Sequence, residues 1–344
     1  LLESTRLTVA IPTCNGARHL REALVSIKGQ SSSDFDLIVS DDRSDDDSLA
    51  IILDEFGDRA RVSTNSERLG LARNWNRCVE LSRTPWVAIF HQDDVMHPGH
   101  LASHRGIIEA HQDRKIGMIA GPVVMIDQAS RPISSSIVDP GGLKILFRVT
   151  DEIRSTGFVF PPGHWLKFLA TENPLRCSGV TISKEAHQAV GGFDPSYRYV
   201  VDWDFWIKIA REWGLTWSLG PPSVSMRWHQ ASETHRFHDG TADLEETTRL
   251  LDALDRIDGS SHPEIQRLRP AANARLARAY LNRAYIALKN RNAELARRSL
   301  DRSFQFDSKI LAKIALDPRL AVQMATLRLR PDLAIRWFGR RSGE

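Results

Sequence analysis

The sequence predicts an α/β fold in which a mainly parallel sheet is covered by helices on both faces, followed by an α-helical C-terminal region. Three observations predict it. Short apolar runs of strand composition alternate with segments whose apolar residues recur at helical spacing. One run, Trp86-Val-Ala-Ile-Phe90, ends abruptly near two adjacent carboxylates, Asp93 and Asp94. Beyond about residue 240 the strand signal stops while helical periodicity continues.

Leu7-Thr-Val-Ala-Ile11 reads as a buried strand and Pro12-Thr-Cys-Asn-Gly16 as the turn after it, with Leu20, Ala23, Leu24 and Ile27 marking a helix. The pattern repeats in Asp36-Leu-Ile-Val-Ser40, an acidic loop from Asp41 to Asp47, and a helix through Leu49, Ile52, Leu53 and Phe56. A third unit runs from Arg61-Val-Ser-Thr64 into a helix with Leu71, Trp75, Cys78, Val79 and Leu81, and Trp86 starts the fourth strand. After a further helix, residues 117–126 supply more strand material, whereas residues 127–165, rich in Pro, Gly and Ser, predict a mobile loop region. Order returns at residues 175–183, and Gly191-Gly-Phe-Asp194 makes a turn before a helix over 202–213. The expected domains are 1–240 and 241–344. In the second, Ala279-Tyr280, Ala284-Tyr285, Leu288, Ala296, Leu300 and Phe304 fit one helix-turn-helix unit of tetratricopeptide type, which needs neighbours to be stable.

At 344 residues and 42% hydrophobic, the chain can fill a large core without disulfide support. Its three cysteines are widely separated and show no metal-ligand spacing, which suits a reducing compartment. The start lacks a basic segment followed by an apolar one, and no window approaches the roughly 18 apolar residues that cross a bilayer. The expectation is a cytoplasmic protein. The net charge of +3 conceals an asymmetry: residues 263–344 carry about +11 and the rest about −8. The basic residues near the end interleave with apolar ones, in Leu327-Arg-Leu-Arg330 and Ile335-Arg-Trp-Phe-Gly-Arg-Arg341, and predict peripheral contact with the inner face of a membrane; a solvated helix face is the plainer alternative. No recognised nucleic-acid module accompanies the charge.

A strand that delivers paired acids at its C-terminal end puts negative charge where open α/β sheets bind ligands, so a divalent cation and a phosphate would meet there. Four motifs in order extend this reading: Val9-Ala-Ile-Pro-Thr-Cys-Asn-Gly16, Ile38-Val-Ser-Asp-Asp-Arg-Ser-Asp45, His91-Gln-Asp-Asp94, and Gly191-Gly-Phe-Asp194 leading into Val201-Asp-Trp-Asp-Phe-Trp206. With these motifs the first 235 or so residues resemble a family 2 glycosyltransferase of GT-A fold.

The resemblance implies that Asp41 and Asp42 hold the nucleotide base and ribose, with Pro12, Thr13 and Asn15 from the first motif and Arg73 and Asn74 from the other side. It implies Asp93 at the donor ribose, Asp94 on Mn²⁺ or Mg²⁺, and His229 completing the metal shell or touching the diphosphate. Asp202 is the implied catalytic base, although the family usually has Glu-Asp where this chain has Val201-Asp202, and His91 stands where the acidic motif often has its first acid. A solvated turn for Asp41 and Asp42, an exposed helix face for Arg73 and Asn74, and helix capping for Asp202 are the competing roles. The implied reaction is inverting, metal-dependent transfer of a sugar from a nucleoside diphosphate, UDP foremost, to a hydroxyl of a glycan or lipid-linked acceptor. Rival readings are a degenerate nucleotide-sugar binder and a nucleotidyltransferase. The latter normally needs a Gly-rich basic loop after the first strand, which Pro12-Thr-Cys-Asn-Gly-Ala17 does not provide.

Overall fold

The computed structural model describes residues 5–138, 157–229, 237 and 240–338. The chain divides into two compact units, residues 1–169 with 173–229, and residues 170–172 with 230–344.

The first unit opens with three strand-helix pairs: β1 (Leu7–Thr13) and α1 (Ala17–Lys28), β2 (Phe35–Asp41) and α2 (Ser48–Phe56), β3 (Ala60–Thr64) and α3 (Leu71–Leu81). They are followed by β4 (Trp86–Ile89), β5 (Val95–Met96), α4 (His100–Ala110), β6 (Ile116–Ala120) and β7 (Val123–Ile126). Next come β8 (Pro132–Val138), β9 (Phe158–Phe160), α5 (Leu166–Leu169), β10 (Val180–Ser183) and α6 (Lys184–Ala189), and the unit closes with α7 (Val201–Glu212), β11 (Gly214–Trp217) and β12 (Val224–Arg227). Eight strands form one sheet in the order β3-β2-β1-β4-β10-β6-β11-β9. The β1, β2, β3 and β4 strands are mutually parallel, with Thr13 beside Asp41 and Asp41 beside Thr64.

This order positions the site. After β1 the chain builds outward to β2 and β3, then crosses to the other side of β1 for β4, so the strand order reverses at β1, where open α/β sheets bind ligands at the carboxyl edge. Apolar spacing on α1 buries Leu20, Ala23, Leu24 and Ile27 against Val9, Ile11 and Val39 of the sheet. Gly16, between β1 and α1, is required by close approach: a Cβ there would sit 2.2 Å from Gln92 Oε1. That amide accepts from Cys14 N (3.0 Å) and donates to Cys14 O (3.2 Å), clamping the β1 loop to the β4 loop.

Two features depart from the sequence reading. The stretch expected as a mobile loop contains β8 and β9, while its residues 139–156 lie outside the described residues. Both are edge strands, β8 beginning at a proline and β9 only three residues long, and such strands carry little of the alternation that sequence patterns detect. The apolar run over 117–126 is divided between two sheets, because β7 joins β5, β12 and β8 in a second sheet of order β5-β12-β7-β8. In the large sheet β10 runs antiparallel to both β4 and β6.

The second unit is helical within its described residues: α8 (Ala242–Asp258), α9 (Pro263–Lys289), α10 (Ala293–Phe306), α11 (Ile310–Ala315), α12 (Pro318–Leu329) and α13 (Pro331–Phe338). Ala284, Leu288, Ala296 and Leu300 bring α9 and α10 together as a hairpin, and Tyr280 stacks on Phe306. Further helices pack on that hairpin, so the lone tetratricopeptide-like unit has neighbours of another kind. Buried Arg283 of α9 is paired with Asp243 of α8 at 2.7 Å.

The α4 helix buries His100 and His104 with ring centroids 4.2 Å apart. Their Nδ1 atoms meet Ser223 Oγ and Thr181 Oγ1. Burial lowers His104 to about 4, against an ordinary imidazole near 6.5, so the folded state binds this proton less readily than the unfolded chain. The associated stability is complete above about pH 6.5 and drains away as pH falls toward about 4, on the order of 3 kcal/mol at the acid end. His104→Gln is expected to flatten the decline in urea midpoint between about pH 7 and pH 4.5; an unchanged slope would remove His104 as a source of acid sensitivity.

Candidate active site

Four chain segments meet at the carboxyl edge. The loop after β4 carries His91, Asp93 and Asp94, whose ligand atoms lie within 4.8 Å of one another. Asp94 is buried: Oδ1 accepts from Arg227 N at 2.8 Å and Oδ2 from Ser178 Oγ, with His91 Nδ1 3.7 Å away. Burial, then the neighbouring Asp93 charge, pushes Asp94 well above the usual carboxylate range. Burial also works against the Asp93 charge, but His229 Nε2 donates to Asp93 Oδ2 at 2.7 Å, and Asp93 stays below its ordinary value. Side by side, the two acids are unequal. The imidazole favours the charge on Asp93, whereas burial and that neighbouring charge disfavour the charge on Asp94.

The donor set fits a hard divalent cation, with two carboxylates and an imidazole converging from one loop. His91 Nε2 is buried without a hydrogen-bond partner among the described residues, and the ring stacks on Trp75 at 5.3 Å. Burial lowers the imidazole's proton affinity and keeps it available as a neutral donor. His229 reaches the same cluster through its Nε2 bond to Asp93, and His91 is the third group whose ligand atom converges with those of Asp93 and Asp94.

Across the crevice, Asp202 sits in the first turn of α7. Its Oδ2 accepts from Asn173 Nδ2 (3.0 Å) and Oδ1 from Trp203 N (2.7 Å). Burial raises its proton affinity above that of an ordinary aspartate, with Arg176 opposing. The segment 173–178 touches both acids: Asn173 Nδ2 donates to Asp202 and Ser178 Oγ to Asp94. Within it, burial, then the Asp202 and Asp94 charges, pushes the Cys177 thiol well up. Asp204, one turn face away, is engaged by Lys208 at 2.6 Å.

At the β2 rim the sequence-proposed contacts separate into two groups. Asp41 is buried and accepts from Ser44 N at 3.2 Å. Asp42 is spent on scaffolding: Oδ1 accepts from Leu69 N (2.7 Å) and Asn65 Nδ2 (3.0 Å), and Oδ2 from Gly70 N (2.9 Å). Asn74 is likewise buried, with Nδ2 on Ser40 O and Oδ1 receiving Ser40 Oγ and Asn65 Nδ2. Both bind the start of α3 to the sheet, because a buried amide or carboxylate must find partners and backbone donors are nearest. Arg73, in the same turn, is exposed. Pro12 is half-buried, Thr13 is buried with its carbonyl on Asp42 N (2.7 Å), and exposed Asn15 joins the β1 and β2 loops through Asp45 N at 2.9 Å. A surface depression lined by Arg43, Ser44, Asp45, Thr64, Asn65 and Arg68 adjoins this rim.

Arg227 was passed over in sequence reading, although it stands two residues before His229. Its guanidinium is fully enclosed and donates to Asp93 O, Asp127 O, Ser130 Oγ and Glu22 Oε2 at 2.7–3.0 Å. It fixes the acidic loop to α1 and to the β7–β8 turn. An arginine inside a short apolar strand was the available signal. Ser178 and Asn173 gave none.

The carboxyl edge of a parallel sheet thus gathers a cation-competent acidic loop, with a shielded carboxylate nearby. Residues 8–151 match Glycosyl transferase family 2, and the chain carries a family 2 glycosyltransferase domain. It is similar to a Mycobacterium tuberculosis protein (28% identity, 71% of this chain and 74% of the relative) and to a Rickettsia prowazekii glycosyltransferase (25%, 60% and 59%). A Mycobacterium bovis PGL/p-HBAD biosynthesis glycosyltransferase is 24% identical over 58% of this chain and 68% of its own length. Among solved structures, Staphylococcus aureus TarS in complex with UDP-GlcNAc shares the fold, with a TM-score of 0.54 at 13% identity over 90% of this chain and 92% of that one.

Arg227→Met would leave Glu22, Asp127 O and Asp93 O without their donor. The expected cost is on the order of 3 kcal/mol of unfolding free energy, read from denaturant midpoints; a change within about 0.5 kcal/mol would show that the guanidinium does not anchor the loop.

Proposed function

We propose that this chain moves a sugar from a nucleoside diphosphate, UDP being the favoured base, to a hydroxyl of a glycan or lipid-linked acceptor, with inversion at the anomeric carbon. The observation that carries the reading is the segment 173–178, where Asn173 Nδ2 donates to Asp202 and Ser178 Oγ donates to Asp94. A base and a leaving-group site on two sides of one small segment suit a one-step displacement.

Asp202 accepts the proton of the acceptor hydroxyl as that oxygen bonds to the anomeric carbon, while the bond from that carbon to the diphosphate breaks and its electron pair leaves with the phosphate. Asn173 and the Trp203 amide orient the carboxylate, and Trp203 and Phe205 beside it limit water. His91, Asp93 and Asp94 would hold Mn²⁺ or Mg²⁺, which would supply positive charge to the departing diphosphate. Asp41, Thr13 and the depression beside β2 and β3 form the end for the base. UDP is favoured because TarS, of the same fold, was solved with UDP-GlcNAc. An envelope glycoconjugate acceptor is favoured by the PGL/p-HBAD relative. Three widely separated cysteines, of which Cys78 and Cys177 are buried thiols, suit a reducing, cytoplasmic setting.

The burial-raised Asp202 must be ionised to act, so turnover is expected to rise with pH through a value above the ordinary aspartate range and then level off. Asp202→Asn should lower transfer from a UDP-sugar by about 10²–10⁴-fold while leaving UDP-induced thermal stabilisation intact. Near-normal turnover would take Asp202 out of the mechanism, and donor binding without turnover in the unmodified chain would favour a degenerate binder.

A further inference from the structure

The last three helices of the second unit have two faces of opposite character. Inward, Ile314, Met324, Leu327 and Ala334 are buried with Leu288 and Leu300 of the α9–α10 hairpin. Outward, Leu316 is 84% exposed, Leu329 77%, Trp337 62% and Val322 56%. Val322 and Leu329 are seven residues apart on α12, which brings them to one side of the helix about two turns apart. Arg319, three residues before Val322, shares that side, Arg328 and Arg330 flank Leu329, and Arg336 precedes Trp337. All four arginines are exposed.

On the same unit Arg269 pairs with Asp252 and Asp255, and Arg275 meets Glu172 at 2.6 Å. Arg319, Arg328, Arg330 and Arg336 have no ion-pair partner among the described residues; Arg328 lies over the Phe304 ring at 5.4 Å, which leaves its charge uncompensated. Nearby acids are few. Asp317 is occupied in capping α12, accepting from Arg319 N and Leu320 N, and Asp332 is the one acid within α12 and α13. The sequence continues the pattern with Arg340 and Arg341.

We propose that this surface seats the helical unit on an anionic lipid bilayer. The aliphatic side chains and the Trp337 indole enter the headgroup boundary while the guanidinium groups meet lipid phosphates. Charge alone would suit RNA equally, but exposed leucines and a valine gain nothing against a phosphate backbone and gain free energy on leaving water at a membrane. The inference is independent of the proposed reaction, because lipid association requires neither donor nor cation.

Sedimentation of the full chain with phosphatidylcholine vesicles, with and without about one-third phosphatidylglycerol, tests it. Retention is expected on the anionic vesicles at low salt, falling as salt rises and absent on neutral ones. Each of Arg319→Gln, Arg328→Gln and Arg336→Gln should weaken partitioning about five-fold, and Leu329→Ser with Trp337→Ser should weaken it further. The arginine variants keep the buried face intact, so their effect stands even if the apolar pair perturbs folding; circular dichroism and thermal midpoints identify that case. No retention on anionic vesicles, equal retention on neutral ones, unchanged binding by the arginine variants, or stronger binding to RNA than to anionic vesicles would each overturn the proposal.

Discussion

Asp94 is the carboxylate on which the arrangement of the crevice turns. Its enclosure makes it costly to ionise alone, and its two oxygens are met by a serine from the turn before β10 and a backbone amide from β12. Those two bonds tie together segments more than eighty residues apart in sequence. In the proposed reaction they would also set the position of a carboxylate whose charge a divalent cation would compensate. Arg227 makes the geometry rigid from below: its amide holds the side chain of Asp94 while its guanidinium holds the carbonyl of Asp93.

Much of this was legible in the residue order. The alternation of apolar runs with helical periodicity follows directly from a parallel sheet buried on both faces, and paired acids after a strand are visible because so few strands end that way. What the order of residues does not reveal is which polar atoms the backbone claims. Asp41 and Asp42 look interchangeable as neighbours, yet Asp42 is consumed by the amides of Leu69 and Gly70, which lie at the start of α3 and only become its partners once β2 and β3 are paired. Asn74 likewise finds its partners in Ser40 and Asn65. The small sheet was hidden because its strands are two to seven residues long and draw on distant parts of the chain.

The division of labour inside the crevice reflects environment more than residue type. Asp93, Asp94 and Asp202 are chemically identical side chains with three different settings: an imidazole donor at 2.7 Å, an enclosed position beside a like charge, and a helix start screened by indole rings. The first is held below its ordinary value and the other two are raised above it by burial; in the proposed reaction the first two would hold the cation and the third would accept the acceptor's proton. His91 completes this set, its neutral ring standing where another acid would have added repulsion to an already crowded loop.

Calorimetric titration of UDP into the metal-stripped protein, with and without added Mn²⁺, for the unmodified chain and for Asp94→Asn, bears most directly on this account. It predicts that Mn²⁺ tightens UDP binding in the unmodified chain and that the coupling disappears in the variant while its thermal unfolding stays cooperative. Equal UDP affinity with and without Mn²⁺ in the unmodified chain, or undiminished coupling in Asp94→Asn, would contradict it.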